Sequence, residues 1–313
     1  MSAHARHRRD YALVAACEKE LLTLTDRPTE QATLALRAAE ALTQLGEVGP
    51  ARELLVAAVE ACPQHIVARL SLASTLENAE AYADATEHLE AAARELVSPE
   101  WRAELDYRAA ILFQDKLGDQ DRARAALERV SAFDPNYAEV FDRLRAIYTA
   151  TNARSELAEL LARRLSAIED PAERVEMEVM RGRALAEVGD SQAAKRALAA
   201  ALDANPDHVE ALSSFAELCS EEGDYEGAEQ SLIRLARLTS DPDRQIEIYF
   251  RLGALYDEPL ANPDRAEAAY QEILKRRPAD ENGRARLIAL YRRTGNQARA
   301  VEEQNILVNS AES

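Results

Sequence analysis

Apolar residues in this chain recur at helical spacing, in short blocks that change face every fifteen residues or so. Ala35, Ala38, Ala39, Leu42 and Leu45 fall along one side of a first helix, and Leu54, Leu55, Ala58 and Val59 along one side of a second. No segment alternates with the two-residue period of a strand, and aromatic residues make up only 5%. The pattern predicts helices throughout.

The breaks between blocks are regular. Eight prolines stand at 28, 63, 99, 135, 171, 206, 242 and 278, in steps of 35 or 36. Such a period marks stacked supersecondary units. The residue before five of them is a good helix N-cap (Ser98, Asp134, Asp170, Asn205 and Asp241), and acidic residues follow closely, as at Glu100 and Glu173. Proline suits a first helical turn because its missing N–H has no partner there, so each of the eight is expected to open a helix. Midway between prolines a second break reads Gly46, Gly118-Asp119, Gly189-Asp190, Gly223-Asp224 and Gly295-Asn296. Weaker versions lie near Asn78–Ala81, at Thr151-Asn152 and around Pro259–Pro263. Each unit is therefore helix, tight turn, helix.

A small residue recurs where the second helix starts: Ala51, Ala85, Ala123, Leu157, Ala194, Ala228, Ala266 and Ala300. The steps are 34, 38, 34, 37, 34, 38 and 34, so long and short units alternate and the true period is a pair of hairpins of 71–72 residues. This implies duplication of a two-hairpin block. In that register Leu13 to Gly46 aligns with Leu157 to Gly189, which makes residues 10–26 a repeat helix without its first partner. Residues 1–9 are then expected as a flexible basic tail, 27–309 as eight hairpins, and 310–313 as a second tail. Gln304 stands where earlier units have Leu55, Leu89, Leu127, Leu161, Leu198, Leu232 and Tyr270, as a terminal cap requires.

These residues resemble the tetratricopeptide repeat family. The clearest instance is Tyr249-x-x-Leu252-Gly253-x-x-Tyr256 followed by Ala266, Tyr270 and Pro278; a second is Leu212-x-x-Phe215-Ala216-x-x-Cys219 with Gly223-Asp224-Tyr225 and Ala228. The resemblance implies an all-α, right-handed α-solenoid of about eight helix-turn-helix hairpins plus one N-terminal helix. It also implies a concave groove, lined by the first helices, that binds a protein or peptide segment. Two departures stand out. Leu157 and Arg164 replace small residues in the helix around 154–169, and the turn at 257–264 is long and carries two prolines.

Charge narrows the partner. The formal net charge is −18, with 56 acidic against 38 basic residues, which disfavours phosphate backbones and predicts no nucleic-acid partner. Groove-facing candidates are Glu176, Arg183, Glu187, Glu210, Ser213, Ser214, Glu217, Glu221, Glu247, Arg251, Asp257 and Glu258. Each alone reads as solvated helix surface. Together they make an acidic wall suited to a cationic or mixed-charge segment. Residues 275–299 carry +6, while 171–270 carry 21 acidic and 10 basic residues, so end-to-end self-association through the basic C-terminal region is a second expectation. The opening units offer Arg37, Glu40, Ser71, Ser74 and Asn78 but no lysine, which leaves out the family's carboxylate clamp.

Candidate chemistry is sparse. There is no Gly-x-Ser-x-Gly elbow, no Gly-rich phosphate loop and no His-Glu-x-x-His, so the chain is expected to be no enzyme and to hold no cofactor or metal. His65 and His208 each lie two residues after a repeat proline and are read as copies of one structural site. Cys17, Cys62 and Cys219 are odd in number and widely spaced, which fits a reducing compartment. No stretch reaches the ~18–20 apolar residues of a membrane span. Arginine outnumbers lysine 34 to four, the habit of a GC-rich bacterial genome. The sequence thus predicts a cytoplasmic, bacterial protein-interaction scaffold. Two alternatives stay open. One is an envelope-associated assembly factor anchored as a lipoprotein through the Val14-Ala15-Ala16-Cys17 box, although its apolar run is short and Asp10 precedes it. The other is a helical-repeat RNA-binding protein, whose units have nearly the same length.

Overall fold

A computed structural model describes residues 3–137 and 139–311, and the expected tails at 1–2 and 312–313 lie outside them. Among the described residues every regular element is helical. The chain divides between Thr151 and Asn152 into two compact units, each an all-α stack of helical hairpins as the repeat predicts. The first holds α1 (Ala3–Leu22), α2 (Pro28–Leu45), α3 (Val48–Ala61), α4 (Ile66–Asn78), α5 (Tyr82–Glu95), α6 (Pro99–Leu112), α7 (Gln120–Phe133) and α8 (Val140–Ala150). The second holds α9 (Arg154–Leu165), α10 (Pro171–Val188), α11 (Ser191–Ala204), α12 (Val209–Glu222), α13 (Tyr225–Leu238), α14 (Pro242–Asp257), α15 (Pro263–Arg276), α16 (Glu281–Arg293) and α17 (Gln297–Ala311). Seven of the eight expected hairpins lie wholly inside one unit. The turn of the fourth, at Asn152, is where the units divide.

Both units begin with a lone helix, α1 or α9, packed on the first helix of a hairpin, α2 or α10. Residues 3–9, expected as a tail, instead continue α1. No proline or glycine interrupts Ala3–Asp10, so nothing stops the helix from propagating backward. The last helix likewise runs two residues past the expected 309.

The turns follow the sequence closely. Gly46, Gly118, Gly189, Gly223 and Gly295 all have φ between +67° and +90°. The three weaker breaks resolve to the same conformation at Glu80 (φ 58°), Asn152 (φ 56°) and Ala261 (φ 45°). After the left-handed residue an aspartate or asparagine caps the second helix, except at Glu47, Ala81 and Ala153, where no side chain caps it. Asp119, Asp190 and Asp224 accept the N–H of Arg122, Ala193 and Gly227 at 3.0–3.1 Å, and Asn262 that of Arg265 at 3.1 Å.

The prolines, by contrast, are of two kinds. Pro28, Pro99, Pro171 and Pro242 do open helices, and Ser98, Asp170 and Asp241 cap them. Pro63, Pro135, Pro206 and Pro278 do not. There the residue before proline (Cys62, Asp134, Asn205 or Arg277) still donates its N–H back to the preceding helix, with φ between −133° and −139°. The next helix starts only at Ile66, Val140, Val209 or Glu281. Asp134 and Asn205 are therefore turn residues rather than caps, each accepting the N–H two residues on. The two kinds alternate. Proline-opened first helices have 18 residues in α2 and α10, 16 in α14 and 14 in α6, the last continued by a five-residue π-helical stretch at Phe113–Leu117, whereas α4, α8, α12 and α16 have 13, 11, 14 and 13. This is the physical content of the 71–72-residue period.

Each core runs along the crossing of paired helices. Ala51, Ala85 and Ala123 are fully buried in the first unit and Ala194, Ala228 and Ala266 in the second, beside Leu55, Leu89, Leu127, Leu198, Leu232 and Tyr270. Leu157, the one large residue in this register, is buried too. Gln304 is exposed, as a cap should be.

Candidate functional site

The first helices α10, α12 and α14 lie side by side in the second unit. Helical spacing puts Glu210, Ser214, Glu217 and Glu221 on one stripe of α12. With Arg183, Ala186 and Glu187 from α10 they line a cleft of about 520 Å³ whose floor includes Leu218. Glu217 and Glu221 also line a second cleft of about 610 Å³, shared with Ser220, Tyr225, Arg251, Ala254, Leu255, Glu258 and Pro259. The two clefts thus meet along α12 and form one trough. Nine of the twelve candidates line it: Arg183, Glu187, Glu210, Ser213, Ser214, Glu217, Glu221, Arg251 and Glu258.

The other three do not. Glu176 is held 3.0 Å from Nε2 of His208. Asp257 accepts from Arg293, whose guanidinium also reaches the Asp257 carbonyl at 2.9 Å. Glu247 is exposed on α14 outside both clefts. Within the trough, Glu187 is paired with Arg154 of α9. Arg251 donates to the Ser213 hydroxyl and carbonyl at 3.4 Å, tying α14 to α12. Burial lowers the Arg251 pKa from its ordinary value, and the nearby Glu217 carboxylate opposes that shift. Glu217, Glu221 and Glu258 stay exposed, with no ion pair among the described residues. The trough therefore offers unneutralised carboxylates over a partly apolar floor, with Arg183 and Arg251 as its cations.

Sequence reasoning missed the floor (Ala186, Leu218, Ala254, Leu255) and the neutralising arginines. A signal for the latter existed: Arg154–Glu187, His208–Glu176 and Arg293–Asp257 join residues 32 to 36 apart, about one repeat. The equivalent cleft of the first unit differs in kind. It measures about 350 Å³ and presents Thr43, Gln44, Ser71, Ser74, Thr75 and Asn78, with Glu40 as its single charge.

The basic C-terminal region is largely spent inside the fold. Lys275 and Arg276 pair with Glu272, Arg277 with Asp243 and Asp280, Arg284 with Glu303, Arg293 with Asp257, and Arg299 with Glu267. Six of the eight basic side chains are thus ion-paired, while Arg286 and Arg292 stay exposed, the latter donating to Gln304.

The histidines have structural employment. Nδ1 of His65 accepts the Ala68 N–H, and Nδ1 of His208 the Ala211 N–H, both at 3.2 Å. These are N-caps of α4 and α12, the role Asp280 plays for α16. With Nδ1 accepting, the neutral ring carries its proton on Nε2. Cys219 is buried beside Lys195 and Asp224, and burial pushes its thiol up to about 11, away from nucleophilic behaviour. Among the described residues, no three His, Cys, Asp or Glu side chains converge as metal ligands would. No helix there is long and apolar enough to cross a membrane.

Residues 104–137 and 247–280 match one tetratricopeptide repeat family model, and residues 185–246 match another. The chain carries tetratricopeptide repeats. Tetratricopeptide repeats typically build non-catalytic scaffolds for protein–protein interaction, and no catalytic family matches. No curated protein matches the chain. Among solved structures it is similar to the C-terminal part of a tetratricopeptide repeat-containing protein from Cytophaga hutchinsonii. That likeness is at 13% identity, covering 80% of this chain and 99% of that one, with a TM-score of 0.46. It is also similar to MamA from Desulfovibrio magneticus RS-1, at 17% identity over 67% of this chain and 95% of that one, with a TM-score of 0.38. A third likeness is to BtubC from P. vanneervenii, at 16% identity over 64% and 91%, with a TM-score of 0.43.

Proposed function

We propose that this tetratricopeptide-repeat chain is a non-catalytic adaptor that binds a cationic or mixed-charge segment of a protein partner in the α10–α12–α14 trough. The observation that carries this reading is the row Glu210, Glu217 and Glu221 along one helix, above the apolar floor made by Ala186, Leu218, Ala254 and Leu255. Basic side chains of an extended segment would meet the carboxylates, and their aliphatic stems would cover the floor. Self-association through the basic C-terminal region is the weaker reading, because six of its eight basic side chains are already ion-paired within the fold. A cytoplasmic location accords with the three unpaired cysteines. Anchoring at Cys17 would require cleavage inside α1, between Ala16 and Cys17, and would cut off Ala15, which is buried on the rest of the fold.

The test is capture of partners from the native lysate at low and high salt, with wild type and with the Glu217→Lys/Glu221→Lys variant. A partner with a basic segment, released by salt and lost in the variant, supports the trough. Capture that survives charge reversal in a variant of unchanged helicity overturns it.

A further inference from the structure

The helix that leads each unit should present the same face, since Leu13–Gly46 and Leu157–Gly189 are in one register. In α9 and just beyond it, Leu157, Leu161, Leu165 and Ile168 are at most 9% exposed. Their counterparts in and after α1 are open: Leu13 is 65% exposed, Leu21 48% and Leu24 76%, and Cys17 is exposed between them. Spacings of four residues put Leu13, Cys17 and Leu21 on one stripe of the helix, and Leu24 follows just past its end. The stripe continues into a groove of about 540 Å³ between α1 and α2, lined by Leu21, Leu24, Thr33 and Leu34. A lone exposed leucine needs no explanation, but a contiguous apolar face does.

We infer that this face is a two-fold interface, on which α1 of a second copy of the same chain lies antiparallel with its axis at Cys17. Three features select a second copy over another occupant. Leu13 and Leu21 stand one turn to either side of Cys17, so the stripe is complementary to itself under a two-fold, the commonest symmetry of soluble oligomers. The central residue is small, which lets two helices approach closely. The two ends also differ in charge along the sequence: Arg6, Arg8 and Arg9 against Asp10 precede the stripe, while Glu18, Glu20 and Asp26 against Lys19 and Arg27 follow its centre. Antiparallel pairing brings the basic end of one copy to the acidic end of the other.

The experiment is light-scattering mass across a concentration series of the full chain, run beside mild oxidation with a diazene dicarboxamide. That oxidant takes two electrons and two protons from a thiol pair to form a disulfide. The expected result is a dimer that Leu13→Glu/Leu21→Glu converts to a monomer of unchanged helicity, and a disulfide-linked dimer that Cys17→Ser abolishes while leaving the mass dimeric. A monomer at every concentration overturns the inference, as does a dimer indifferent to the glutamate pair. A dimer that never cross-links through Cys17 overturns the two-fold axis placed there.

Discussion

The phenol of Tyr256 on α14 donates to Oε1 of Glu229 on α13 at 2.7 Å, and Arg265 on α15 takes the same oxygen. One carboxylate thus clasps both helices of the next hairpin to the second helix of the previous one. The device recurs one hairpin later, where Tyr291 meets Glu267 at 3.0 Å and Arg299 pairs with the same group at 2.6 Å. In a repeat array stability is the sum of hairpins and their interfaces, and such clasps act on the interface.

Tyr256→Phe keeps the ring and removes the bond, leaving a carboxylate short of one donor. The expected cost is about 1.5 kcal/mol, read as a lower urea midpoint. There is a pH signature as well. Burial first, and the Glu229 bond second, push the Tyr256 phenol up to about 12 from its ordinary 10. A folded-state pKa above the unfolded one means that this stabilisation is fully present below pH 10 and disappears as pH rises toward 12. Tyr256→Phe should therefore flatten the alkaline limb of stability between those values, and an unchanged limb would contradict the assignment.

Eight turns adopt a left-handed residue, and in three of them the residue has a Cβ. Asparagine tolerates that region, but alanine and glutamate do so at about 1 kcal/mol or more. Ala261→Gly and Glu80→Gly should each raise stability by about 0.5 kcal/mol, the strain relieved less the added chain entropy of glycine. Asn152→Gly should be close to neutral. Gly189→Ala should run the other way, and urea titrations of the four variants read the order directly.

His65 caps α4 through Nδ1, and its Nε2 lies 3.5 Å from the Thr33 hydroxyl. Alanine there should cost about 1 kcal/mol. His65→Asp should hold or improve stability, because a carboxylate caps equally well, complements the helix dipole, and already serves at Asp280. A metal-ligand role would predict that both substitutions fail alike.

Residues that repeat were readable from the chain, because stacking forces the same small or left-handed residue to return at each crossing. Ala51, Gly189 and Leu198 sit where the period puts them. Pro63 and Pro206 were misread because a proline can follow a helix as well as begin one. What separates the two is the backbone of the residue before, whether it caps forward like Asp170 or still donates backward like Asn205. The trough was legible as a helical stripe at Glu210, Glu217 and Glu221. Its charge was not, since a count treats Glu187 as free when Arg154 neutralises it from a repeat away. Nor could the division at Asn152 be read, as that turn carries the same signal as the others.

Gly253 lies where α14 and α15 come close. A Cβ at that position would overlap the Tyr270 ring, which is 1% exposed with no hydrogen-bond partner for its hydroxyl. In four other hairpins the same register holds Ala39, Ala73, Ala110 and Ala216, all fully buried, with Leu55, Leu89, Leu127 and Leu232 sixteen or seventeen residues on, and in a fifth it holds a second glycine, Gly182, against Leu198. Gly253 thus makes room for the Tyr270 ring, as Gly182 does for Leu198, and is not a helix defect. Gly253→Ala should cost about 2 kcal/mol through overpacking, despite the better helix propensity of alanine. Tyr270→Leu alone should also destabilise, by leaving a cavity. The double variant restores the pairing found in four other hairpins, so it should be more stable than the sum of the two losses by about 1 kcal/mol or more. Additive losses in the double-mutant cycle would show that Gly253 and Tyr270 are not coupled.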